Sequence, residues 1–133
     1  MATFLAPLLR DPGTSYELVN SRTGDLVAHE VRTAFDSATR RKGLLGLDGM
    51  PTGSALIIAP CSAVHTWFMR FAIDVVFVAK DGRVVKVRER LTPWRMSGAL
   101  SAHAVVEMPS GSVSRGTRKG DHLVLRPSKP RTP

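Results

Sequence analysis

Five polar side chains with chemical potential, Cys61, His65, Thr66, Arg70 and Asp74, sit inside an unusually apolar stretch, Pro60 to Val78. That stretch also holds one of the chain's two tryptophans and three of its five phenylalanines. Polar groups set among large apolar side chains must find hydrogen-bond partners or cost stability, so the cluster is specified rather than incidental. Three chemistries suit these residue types. Cys61 and His65 are four apart and near Asp74 and Glu107 if the strands pair as expected, so Cys61 could act as a nucleophile with His65 as base or Arg70 as positive field. A lone cysteine equally packs as a small hydrophobe, and no cysteine-hydrolase signature accompanies it. Cys61, His65, Asp74 and His103 or His122 are acceptable zinc ligands, but the four histidines are scattered and no close ligand pair of the C-x-x-C or H-x-x-x-H kind occurs, so no metal is assigned.

The third chemistry is binding. His65, Thr66, Arg70 and Asp74 can form a polar network, with Asp74, just ahead of an apolar strand, accepting from Arg70, Thr66 or backbone amides. Such a network either pins strand register or lines a pocket. In the pocket form Trp67, Met69 and Trp94 wall it, and His65 and Arg70 select a small polar or anionic ligand. Cys61 and Glu107 complete the candidate set. No cofactor is implied, and the sequence leaves open whether any reaction is catalysed.

The elements that would position these residues are mostly strands. Tyr16–Asn20 and Leu26–Arg32 around a turn at residues 21–25 form a hairpin pattern, with Val27, His29 and Val31 on one face. That alternation makes His29 a structural strand histidine. Asp36 or Ser37 caps a short helix through Lys42, ended by Gly43 or Gly46, and Leu44, Leu45 and Leu47 would dock its exit. Both glycines of Gly43-Leu-Leu-Gly46 suggest positive φ or close approach. The basic turn ahead of Gly43 could meet a phosphate, although it matches no phosphate-binding loop. Ala55–Ala59 is a buried strand closed by Pro60. If Val64–Met69 is extended, His65, Trp67 and Met69 share one face and Val64, Thr66 and Phe68 the other. Asp74–Ala79 and Val84–Glu89 flank Lys80-Asp-Gly-Arg83 as a tight hairpin. Leu91–Gly98, interrupted by Pro93 and Gly98, is a loop able to cover a site. His103–Met108 and His122–Arg126 return to strand. The expectation is a mainly β fold (α+β at most): a compact antiparallel barrel or sandwich of seven to eight short strands with one short helix.

A series of motifs runs through these elements: Arg41-Lys-Gly-Leu-Leu-Gly46, His65-Thr-Trp-Phe-Met-Arg-Phe-Ala-Ile-Asp-Val-Val-Phe77, Asp81-Gly-Arg-Val-Val85, Glu107-Met-Pro-Ser-Gly111 and Gly120-Asp121. In this order they resemble the bacterial and archaeal family known as domain of unknown function 192, or uncharacterised protein family 0127. The likeness spans roughly Val31 to Leu125. It implies a small β-rich domain and carries no activity with it.

Length, 133 residues, and 43% hydrophobic content fit one domain at 15–126, preceded by an arm at 1–14 without clear periodicity and followed by a basic, proline-rich, disordered tail at 127–133. One cysteine excludes an internal disulfide. The first residues lack a basic lead and meet Pro7 early, which argues against a secretory signal, and no run approaches the ~18 apolar residues that span a bilayer. A cytoplasmic protein is expected. The net charge of +8 is concentrated at 83–95 and 114–133. It suits an acidic partner or nucleic acid, the latter in a salt-sensitive, sequence-indifferent way, unless the lysines and arginines only solubilise the surface. A basic-aromatic RNA-recognition pattern is lacking, and the tail has no apolar face for a membrane.

Overall fold

The computed structural model describes residues 3–128. In chain order they form α1 (Ala6–Arg10), β1 (Tyr16–Asn20), β2 (Leu26–Ala28), β3 (Glu30–Ala34), α2 (Ser37–Lys42), β4 (Ser54–Ile58), β5 (Ala63–His65), β6 (Ile73–Val78), β7 (Val84–Leu91), β8 (Met96–Gly98), β9 (Ala104–Pro109), a 3₁₀ turn (Ser112–Arg115) and β10 (Leu123–Pro127). The mainly β expectation holds, in sandwich-like form. The strands make a five-stranded sheet ordered β3-β4-β9-β6-β7, a three-stranded sheet β10-β1-β2 and a β5-β8 ribbon, with no closed barrel among the described residues.

Alternation along the strands divides the large sheet into two faces. Ala55, Ile57, Val76, Val78, Ala104, Val106 and Met108 face the small sheet, where they pack with Leu18, Ala28, Leu123 and Leu125. Leu56, Ile58, Ile73, Val75, Phe77 and Val105 face the other way, beneath Val64, Met69 and Leu44. β4, β6 and all but the last residue of β9 are buried throughout, which is why they read as continuous apolar runs. At the tight β6–β7 turn Gly82 has φ +95°, and a Cβ there would lie 2.6 Å from the Leu123 carbonyl oxygen. Only glycine fits that position.

Three expectations change. The strand from Leu26 to Arg32 is split at His29: β2 stays with β1, while β3 crosses to the large sheet and pairs in parallel with β4. A parallel neighbour needs a crossover, and α2 lies in it. His29 is therefore an exposed corner residue whose amide donates to the Gly53 carbonyl at 2.9 Å. The aperiodic start of the chain includes a helix too short to show a period, and its Phe4, Leu5 and Leu8 are buried in the first core. The 91–98 loop ends in a strand, because β8 pairs with β5. Of the tail, Pro127 closes β10, and residues 129–133 lie outside the described residues.

Candidate functional site

A chemically mixed recess lies on the second face of the large sheet, where α2 and its glycine exit meet β4, β5 and β9. Asp36 caps α2, its carboxylate accepting from the Thr39 amide at 2.8 Å. Gly43 stops it with φ +45°, and Leu44, 5% exposed, anchors the exit into the core. α2 itself buries no residue. It lies as a polar flap whose basic end, Arg40, Arg41 and Lys42, borders a cleft of about 560 Å³. Ile58, Val64 and Met69 supply the apolar wall; Cys61, His65 and Glu107 supply the remaining polar groups.

Glu107 is the unusual member. It faces Leu56 across β4 and Val75 across β6, so a carboxyl group sits in an otherwise apolar layer. It is 6% exposed, and no hydrogen bond to its carboxyl is found among the described residues. Burial pushes its pKa up to about 7. Near neutral pH the group is thus poised between acid and carboxylate, able to donate or accept.

Cys61 is half-buried, and its Sγ donates to the Ala63 carbonyl at 3.1 Å rather than to His65. Burial pushes the thiol up; the Ala63 contact opposes this, Glu107 adds to it, and Arg40 opposes it. A nucleophilic thiolate needs the reverse balance. His65 turns its ring onto Trp67, with centroids 4.6 Å apart.

The expected four-residue polar network does not assemble. β5 ends at His65 and the chain turns, so the alternation expected through Met69 stops there. Thr66 is fully buried; its hydroxyl donates to the Thr92 carbonyl at 2.6 Å and accepts from the Arg95 amide at 2.9 Å. Arg70 points outward and pairs with Asp48 at 2.7 Å, both exposed. Asp74 accepts from the amides of Arg90, Gly111 and Val113 at 2.8, 3.0 and 3.0 Å. Of the three kinds of donor open in sequence, only backbone amides are realised. Trp67 and Trp94 are exposed, and neither lines the cleft. The structure therefore gathers Cys61, His65, Met69 and Glu107 in one place and leaves Thr66, Trp67, Arg70, Asp74 and Trp94 outside it.

Arg40, Arg41, Lys42 and Leu44 also border the cleft, and the basic turn before Gly43 is their signal in the sequence. No group of three or more His, Cys, Asp or Glu side chains among the described residues is placed to hold a metal ion. His103 offers its backbone carbonyl to the Cys61 amide, and His122 lies far along the chain beside Asp81, 3.9 Å away.

The motifs spanning cleft and sheet are those of one family, and the DUF192 family model, described as uncharacterised, matches residues 18–125. The chain belongs to this family. No curated protein matches it. Two solved structures share the DUF192 chain's fold. One is a proposed transcription regulator from Sinorhizobium meliloti 1021, 21% identical, with a TM-score of 0.72 over 84% of this chain and 92% of that one. The other is a protein of unknown function from Novosphingobium aromaticivorans DSM 12444, 21% identical, with a TM-score of 0.70 over 82% of each chain. At this identity the likeness concerns the fold alone. No described helix is long and apolar enough to cross a membrane.

Proposed function

We propose that this DUF192 domain is a non-enzymatic, cytoplasmic binding module whose ligand is a small organic anion with an apolar part, held in the cleft under α2. Glu107 carries the reading. A buried carboxyl without a described hydrogen-bond partner costs stability, and the cost is understandable where a ligand supplies the missing partner. Arg40, Arg41 and Lys42 favour negative charge at the rim, and Leu44, Ile58, Val64 and Met69 favour an apolar body beneath it. Cys61 and His65 add polar contacts. The thiol's upward shift speaks against the hydrolase alternative. The charge-driven alternative, an acidic partner or nucleic acid, would depend on the basic residues at 83–95 and 114–133 instead.

An anion bound beside Glu107 raises the pKa of the carboxyl further, so binding takes up protons and weakens as pH rises through about 7. The test is an amide NMR titration of the full chain with short mono- and dicarboxylates, phosphate monoesters and a short oligonucleotide, repeated at pH 6 and about pH 8. Shifts centred on residues 40–44, 58–65 and 107, stronger at the lower pH and independent of pH in Glu107→Gln, are expected. Shifts confined to exposed arginines that vanish with salt would replace the cleft with charge-driven binding. Silence with every probe at millimolar concentration would remove the proposal.

A further inference from the structure

Beside the ribbon of β5 and β8, the turns 66–69 and 92–95 meet in a tip that carries both tryptophans of the chain. Phe68 is 71% exposed, Trp94 59%, and Trp67 and Met96 are exposed beside them. Phe68 and Trp94 both have left-handed backbones, φ +65° and +66°, a conformation strained for a non-glycine residue. They meet edge to face with centroids 4.7 Å apart. Strain is thus accepted to hold two large aromatic groups outward.

Thr66 makes this arrangement possible. Its amide donates to the Arg95 carbonyl, its carbonyl accepts from the Met69 and Trp94 amides, and its hydroxyl bridges Thr92 and Arg95. Both turns are tied to one buried residue, and these backbone groups are satisfied within the tip. Aromatic side chains that protrude from two turns tied together in this way can enter a membrane interface, a depth that tryptophan favours. Arg95, within the second turn, and Arg70, next to the first and paired with Asp48, are exposed, and neither turn contains an acidic residue.

We infer that this tip is a membrane-surface contact that inserts Phe68 and Trp94 into the headgroup region of an anionic bilayer while the flanking arginines meet lipid phosphates. Nucleobase stacking fits less well, because His65 already covers one face of Trp67 and Phe68 and Trp94 are engaged with each other. The contact is peripheral and independent of any ligand in the cleft.

Both tryptophans lie at the tip, so intrinsic fluorescence of the full chain reads this surface directly. Adding phosphatidylcholine vesicles with about a quarter phosphatidylglycerol should shift the emission to the blue, and brominated acyl chains should quench it. Pure phosphatidylcholine should give a weaker response, and salt should reduce the anionic one. Phe68→Gly removes the side chain at a backbone angle suited to glycine, so it should keep the unfolding midpoint near wild type while lowering vesicle partitioning about tenfold. Unchanged emission with the anionic vesicles would overturn the inference, and that measurement needs no variant. So would undiminished partitioning of a folded Phe68→Gly, or a response to a single-stranded oligonucleotide or an acidic polypeptide with none to vesicles.

Discussion

Asp74 and Glu107 are two buried carboxyl groups one register step apart on neighbouring strands: Asp74 pairs with Met108, and Glu107 with Val75. They project to opposite faces of the same sheet. Asp74 meets three backbone amides and ties β6 to the β7 bend and the 3₁₀ turn. Glu107 meets a cleft. The same functional group in the same sheet is structural on one side and held in reserve on the other. The difference is the supply of donors: irregular backbone reaches Asp74, whereas regular strand surrounds Glu107 and has already committed its amides to the ladder.

The comparison can be broken most strongly at Asp74. Asp74→Ala removes the acceptor from three backbone amides and should cost on the order of 3–5 kcal/mol in denaturant unfolding. A cost below about 1 kcal/mol would mean those turns hold without it. Glu107→Gln should act in the opposite direction and with pH. The native carboxyl binds its proton more tightly than the unfolded one, about 7 against 4.5. The wild type therefore loses stability as pH rises from 4.5 through 7, by about 3 kcal/mol in all. The variant should lack that loss, matching or exceeding wild type above pH 8 in urea titrations; a parallel pH profile for both would show that the carboxyl titrates normally. Leu44→Ala, which unpins the flap over Glu107, should cost about 2 kcal/mol and weaken anion binding by NMR, with little effect at Asp74. Smallest of all, Arg70→Ala breaks an exposed pair and should change stability by less than about 0.5 kcal/mol, leaving cleft binding intact. A large effect there would return Arg70 to the site.

Much of this arrangement was legible beforehand. The capped helix from Asp36 to Gly43, the buried strand after Gly53 and the Asp-Gly hairpin are local signals, and each is found. Asp74 ahead of an apolar strand reads as a carboxylate needing partners, and backbone amides supply them. What failed was the step from neighbours in sequence to neighbours in space. His65, Thr66, Arg70 and Asp74 share one motif, yet the turn after His65 sends them in different directions. The true companions of Glu107 come from α2 and β5, far along the chain.

Residue pattern alone thus determined where the central strands, the α2 cap and the Asp-Gly turn fall, because periodicity, capping side chains and glycine at positive φ act over a few residues. It also determined the family, through motifs in a fixed order. Tertiary structure decided which polar residues are satisfied. Crossing of β3 to the far sheet, the bend at Thr66 and the pairing of β9 between β4 and β6 gave Asp74 its amides and left Glu107 facing the cleft. Hydrogen-bond supply inside a protein depends on which backbone arrives from elsewhere in the chain, and no local pattern encodes that arrival.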